Sequence, residues 1–267
     1  MLLLSWFSLA YRKGRVASSA LVCLVMLGGL SARAQQKELR VAAASDLQPV
    51  MPVLAQEYEH ATGVKLVVSF GSSGTLATQI IGGAPMDIFL AADFVNAEKV
   101  VASGLADGTA PTAYAKGTLV LWTRKDSGLL PLSMDRLTDP RVKKIAIANE
   151  LHAPYGRAAV DALRRMKLYD KVSSRLVVGE NVAQTAQFVE SGNAQLGLIS
   201  LTTANTQHFR EIGTYVLVPT SQYPEIRQCT VIMKNSDRKA DARAFLNWLL
   251  SPAVQGNWPK LGLAAVR

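Results

Sequence analysis

The stretch LRVAAASDLQPVMPVLAQEYEHATGVKLVVSF, residues 39–70, decides the fold class. Leu39 to Ala43 is a short apolar run of strand length. Val50, Val53, Leu54, Glu57, Tyr58 and Ala61 then fall at spacings of three and four, the period of a helix with one inward face. Gly63 stops that helix, and Val64 to Phe70 reads as a second strand. The same alternation runs through the rest of the chain. Helices are expected at Thr75 to Ile81, Val95 to Ser103, Arg157 to Met166, Val182 to Ser191, Ala240 to Leu250 and Ala253 to Leu261. Strands are expected at Ile88 to Ala92, Leu119 to Thr123, Lys144 to Ala148, Leu176 to Val178, Leu196 to Ser200, Tyr215 to Val218 and Thr230 to Met233. Strands alternating with helices imply an α/β fold of parallel sheets covered on both faces. On such sheets a ligand binds beyond the carboxyl ends of the strands.

Four strand-to-helix junctions carry small, polar or glycine residues where that rule places a ligand. At Ala43-Ala44-Ser45-Asp46-Leu47, Ser45 or Asp46 either caps the following helix or offers Ser45 donors to a ligand. Phe70-Gly71-Ser72-Ser73-Gly74-Thr75 combines two hydroxyls and two glycines before a helix, whose N-terminal N–H groups attract anions. Ala153-Pro154-Tyr155-Gly156-Arg157 should start a helix near Gly156, with the Tyr155 and Gly156 N–H groups free. At Glu180-Asn181-Val182-Ala183, Asn181 reads as the N-cap and leaves the Val182 N–H at the helix start. One such junction is a common turn; four point to an anion site built from helix N-termini. Neutral donors suffice for such a site, because hydroxyls, N–H groups and helix dipoles together replace the water lost by a buried anion.

Bulk properties narrow the classes. The 267 residues are 49% hydrophobic and 18% charged, enough for a large core and unlike a disordered chain. Arg12, Lys13 and Arg15 precede the apolar run Val16 to Leu30, and Ala32-Arg33-Ala34 completes the pattern of a secretory signal peptide over residues 1–34. That apolar run is short for a membrane span. Cys23 does not read as a lipidation site, because Val22 before it is not small. The net charge is +9, and residues 1–34 hold four basic and no acidic residues, leaving +5 beyond them. No basic run is interleaved with aromatics, which argues against nucleic acid as a partner. Beyond the leader Cys229 stands alone, so no intramolecular disulfide is expected, and His60, His152 and His208 are too scattered for a metal site. Gly71-Ser72-Ser73-Gly74 matches neither the nucleophile elbow nor the phosphate-binding loop. No catalytic residue is assigned.

The junctions, with Gly83-Ala84-Pro85-Met86-Asp87-Ile88-Phe89, Ala91-Ala92-Asp93, Gly179-Glu180-Asn181-Val182-Ala183-Gln184-Thr185 and Gly192-Asn193-Ala194-Gln195-Leu196-Gly197, occur in an order that resembles the periplasmic molybdate-binding proteins of ABC transporters. The resemblance covers nearly the whole chain beyond residue 34. It implies a two-lobed periplasmic-binding-protein fold of type II character, closing about a hinge of crossing strands. Lobe one would comprise residues 37–119 and 220–267, and lobe two residues 120–219. The hinge would lie near Thr118–Leu121 and Val218–Thr220. The resemblance implies a monomer that binds molybdate or tungstate in the periplasm, uses no cofactor, and delivers its cargo to a membrane permease. It places Ser45, Ser73, Tyr155 and Val182 on the ligand. A fifth contact, a tyrosine in some members, falls at Ser200 here. Two alternatives stay open on the sequence. One is another tetrahedral oxyanion such as sulfate, thiosulfate or phosphate, with Asp46 accepting a proton from a protonated anion. The other is the effector-sensing domain of a transcription regulator.

Overall fold

A computed structural model describes residues 37–266; the expected signal peptide, residues 1–34, lies outside them. The first sheet is assembled from β1 (Lys37–Ala44), β2 (Val64–Gly71), β3 (Ile88–Ala91), β4 (Thr112–Gly117) and, from far along the chain, β10 (Ile226–Ile232). The second contains β5 (Leu119–Arg124), β6 (Ile145–Ala148), β7 (Leu176–Gly179), β8 (Leu196–Ser200) and β9 (Gly213–Leu217). The helices are α1 (Met51–Thr62), α2 (Ser73–Ile81), α3 (Phe94–Ala102), α4 (Pro154–Arg165), α5 (Tyr169–Val172), α6 (Val182–Glu190), α7 (Leu201–Ala204), α8 (Gln207–Ile212), α9 (Lys239–Leu249) and α10 (Pro252–Asn257).

The strand orders are β2-β1-β3-β10-β4 and β7-β6-β8-β5-β9. Pairings within the alternating units are parallel, as the sequence implies: β1 with β2 and β3, and β6 with β7 and β8. The expectation of wholly parallel sheets is corrected, because β10 runs antiparallel to both β3 and β4, and β5 antiparallel to both β8 and β9. The reason is topological. The chain passes between sheets twice, from β4 through Thr118 into β5 and from β9 back into β10. In each sheet one such strand is inserted against the direction of its neighbours.

Both faces of the first sheet are buried, which is why β3 reads Ile88-Phe89-Leu90-Ala91 without polar alternation. Ile88 and Leu90 pack with Leu39, Val41, Tyr58, Phe245 and Trp258 beneath α1, α9 and α10. Phe89 and Ala91 pack with Ala42, Leu76, Ile80 and Val100 beneath α2 and α3. In the second sheet the fully buried Trp122 meets Phe209 at 5.2 Å between ring centroids. Truncating a side chain of this size at such a position costs about 3–5 kcal/mol.

Several element boundaries depart from the sequence reading, each for a local reason. β4, TAYAKG, was not expected, because it has no apolar run to mark it. β10 starts at Ile226 rather than Thr230, since the polar pair Arg227-Gln228 interrupts the apolar pattern while its backbone still pairs with β4. α4 starts at Pro154 instead of near Gly156, because proline is accommodated in the first helical turn. Neither Ser45 nor Asp46 caps a helix: Ser45–Leu47 forms a 3-10 turn without a side-chain cap, and α1 begins only at Met51.

Candidate functional site

The carboxyl ends of the parallel strands in the two sheets face one another across a small cavity of about 180 Å³. Ala44, Ser45 and Asp46 line it from the end of β1. Gly71, Ser72 and Ser73 come from the end of β2, and Ala92 follows β3. Ala153, Pro154 and Tyr155 follow β6, and Val182 follows β7. Four of the five residues expected at the ligand, Ser45, Ser73, Tyr155 and Val182, are therefore brought together from positions spread over 138 residues of chain.

Local capping explains which N–H groups stay available. At the start of α2 the Ser72 hydroxyl accepts from Thr75 N at 3.2 Å, and Gly74 N donates to the His152 carbonyl at 2.9 Å. The Ser73 N–H, in the first turn, is left over. At α6 the Asn181 side chain accepts from Ala183 N and Gln184 N, both at 3.0 Å, as the sequence reading expects of an N-cap. That leaves the Val182 N–H. At α4, Pro154 has no N–H to offer and Arg157 N bonds to Ala153 O, leaving those of Tyr155 and Gly156. Three helix starts thus each keep a free donor near their positive dipole end.

Two glycines permit this convergence. A Cβ on Gly74 would sit 2.8 Å from the His152 carbonyl oxygen, so only glycine allows these loops to touch. A Cβ on Gly156 would collide with the backbone of Ala148 and Asn149, where α4 springs from β6.

The hydroxyls differ in their partners. Ser73 is fully buried, and its Oγ accepts from Ala92 N at 2.9 Å, which leaves its own proton to donate. The Ser45 hydroxyl takes no hydrogen bond from the described residues. Ser200 is not among the residues lining the cavity. Its Oγ caps α7, lying 3.0 Å from Thr203 Oγ1 and 2.8 Å from Thr202 Oγ1. Thr202 Oγ1 in turn lies 2.6 Å from the Asp46 carbonyl oxygen, which accepts from it. Ser200 therefore sits beside the wall of the site at the end of β8, with its hydroxyl engaged in the cap of α7.

Asp46 is the polar residue whose weight the sequence understated. It is 1% exposed, and its Oδ2 accepts from the Tyr155 hydroxyl at 3.2 Å and from Gln228 Nε2. Tyr114 donates to Gln228 Oε1 at 2.7 Å, which turns the amide so that its NH₂ faces the carboxyl. Burial raises the Asp46 carboxyl to about 7, against the lowering pull of those two donors. Gln228 gave only a weak sequence signal, as half of the polar pair Arg227-Gln228 just ahead of the apolar run 229–233.

No lysine, arginine, histidine or cysteine lines the cavity. Arg157 pairs instead with Asp93 in an adjoining groove of about 790 Å³, where Arg227 lies 4.7 Å from the Phe94 ring centroid. Cys229 is buried, and burial pushes its thiol up to about 12, which makes it inert. Among the described residues no cluster of acidic, histidine or cysteine side chains could hold a metal ion, and no helix is long and apolar enough to cross a membrane.

Two sheets linked by crossing strands, with the ends of their parallel strands closing on a small cavity of neutral donors, define a two-lobed α/β solute-binding protein. The family model described as bacterial extracellular solute-binding protein matches residues 39–264. The chain is 36% identical over 234 residues to the molybdate-binding protein ModA of Azotobacter vinelandii, covering 88% of this chain and 92% of that protein. It is 31% identical over 236 residues to ModA of Rhodobacter capsulatus, covering 88% and 91%. The solved structure of the Azotobacter vinelandii periplasmic molybdate-binding protein superposes with a TM-score of 0.81 at 32% identity, covering 86% of this chain and all of that one. The chain belongs to the molybdate-binding proteins of the bacterial extracellular solute-binding family. The sulfate-binding protein SubI of Mycobacterium tuberculosis, at a TM-score of 0.74 and 14% identity, shares the fold.

Proposed function

We propose that this protein is exported through residues 1–34, captures molybdate or tungstate in the cavity, and delivers it to the membrane permease of an ABC transporter. The observation that carries the reading is the composition of the cavity wall: helix starts and serine hydroxyls from both sheets, with no basic side chain among them. Such a wall binds an anion through hydrogen bonds to its oxygens, so no side chain ligates the metal atom itself. Fixed neutral donors also select by size and hydrogen-bond pattern, whereas an arginine would hold many anions.

Ser45 and Ser73 act through their hydroxyls in this reading, and Tyr155 and Val182 through backbone N–H groups. Residues 37–119 and 220–267 form one lobe and residues 120–219 the other, moving about the crossings near Thr118–Leu121 and Val218–Thr220. The protein works as a monomeric binder without cofactor, nucleic acid or catalytic step.

Calorimetry on residues 35–267 tests the function. We expect one molybdate or tungstate per chain, with sulfate and phosphate giving no heat at matched concentration. Binding of sulfate as tightly as molybdate would transfer the function to oxyanions at large.

A further inference from the structure

A carboxylate is an unexpected wall for an anion site. Asp46 lines the cavity together with the serines, yet it is almost completely buried and has no cation beside it. Its two oxygens are not equivalent. Oδ2 is occupied by two donors, the Tyr155 hydroxyl and the Gln228 amide. Oδ1 is buried with no partner at all. An ionised Asp46 would leave a bare anionic oxygen in a dry site beside a dianion, doubly unfavourable. In the acid form the proton must sit on Oδ1, because Oδ2 already receives two, and Oδ1–H then lacks only an acceptor.

We propose that Asp46 binds the oxyanion in its acid form, donating a hydrogen bond from Oδ1, so that in alkaline solution, where the free site is ionised, each dianion captured carries one proton from water into the cavity. The proposal rests on the oxyanion reading above and adds a residue that selects for an acceptor-only anion: a protonated anion would set its own donor against this one.

The surroundings leave Asp46 as the group that takes the proton. Tyr155 from α4, Tyr114 from β4 and Cys229 from β10 are all raised by burial, and so stay neutral across the working range. α7 packs on the 3-10 turn and offers Thr202 without charge. α6 also packs there, and its charged residue, Glu190, is paired with His208. The cation at the adjoining groove, Arg157, is paired with Asp93.

The sign follows from linkage. Below about pH 7 the carboxyl already holds its proton, and affinity is flat. Above that, binding must first protonate Asp46, so affinity falls about tenfold per pH unit. Between about pH 6 and about pH 8.5, molybdate should bind roughly 30-fold more weakly. Calorimetry at the higher pH, in two buffers of different ionisation enthalpy, should report uptake of close to one proton per molybdate. Asp46→Asn keeps a donor in place and should bind molybdate with the slope abolished. The exposed imidazole of His152 is untouched by that change, so the variant isolates the buried carboxyl. Should Asp46→Asn fail to fold, Tyr155→Phe replaces it: losing one donor to Oδ2 should move the break in affinity to higher pH. A wild-type affinity that does not change with pH, an Asp46→Asn slope equal to wild type, or an unmoved break in Tyr155→Phe overturns the proposal while leaving molybdate binding intact. Failure to bind any oxyanion at any pH overturns the function itself, and this inference with it.

Discussion

The two sides of the cavity offer similar donors through different atoms. On the side of the first sheet, Ser45 and Ser73 present hydroxyls, and Ser73 is locked by the 2.9 Å bond from Ala92 N. On the side of the second sheet, the side chains at the same depth are engaged elsewhere or cannot donate. The Tyr155 hydroxyl is committed to Asp46, and Val182 is apolar. What that side offers is backbone, exposed at the starts of α4 and α6 and held in place by Pro154, Gly156 and the Asn181 cap. A hydroxyl can be deleted by one substitution. A backbone N–H can only be moved, by disturbing whatever positions it. One side of the site should therefore be sensitive at its ligand residues, and the other at residues that never touch the ligand.

The largest effect tests the backbone side. Gly156→Ala drives a Cβ into Ala148 and Asn149 and displaces the first turn of α4. We expect a stability loss of about 1–3 kcal/mol in thermal melts, and molybdate affinity down by about 100-fold because two donors move together. Next comes the hydroxyl side. Ser73→Ala removes the hydroxyl proposed to donate to the anion and the acceptor for Ala92 N, and should cost roughly 1–3 kcal/mol of binding in calorimetry. Thr75→Val deletes the hydroxyl that donates to Glu180 Oε1 at 3.1 Å, a bridge between the starts of α2 and α6. The bridge is solvent-exposed, so a loss of about 0.5 kcal/mol or less in affinity is expected. The smallest effect is the most discriminating. Val182→Ala keeps the N–H and should leave affinity within about 0.5 kcal/mol of wild type. A loss as large as that of Ser73→Ala would show that the valine side chain, not its backbone, shapes the pocket, and the contrast between the two sides would be broken.

Much of this architecture was legible in the chain because its causes are local. Apolar runs separated by helical periodicity are set by which faces must be buried, and β1, α1 and β2 emerge from residues 39–70 alone. The cap at Asn181 and the donors after Gly71 depend on residues within a turn or two of one another. The signals that failed are of another kind. β4 has no apolar run, and β10 is interrupted by Arg227-Gln228; both exist because neighbouring strands supply hydrogen bonds from distant parts of the chain. The antiparallel insertion of β5 and β10 depends on where the chain crosses between sheets, which periodicity does not encode.

The same division runs through the site. By itself the sequence determined the α/β class, the four donor-rich junctions and the neutrality of their donors, because strand ends, helix caps and turn glycines act over a few residues. Tertiary structure alone decided that Ser200 sits beside the cavity wall with its hydroxyl engaged in the cap of α7. It alone placed Asp46 under the hydroxyl of Tyr155, 109 residues away, and the amide of Gln228, 182 residues away. Burial and long-range hydrogen bonds set the charge of a carboxyl, and neither exists until the two sheets have closed around it.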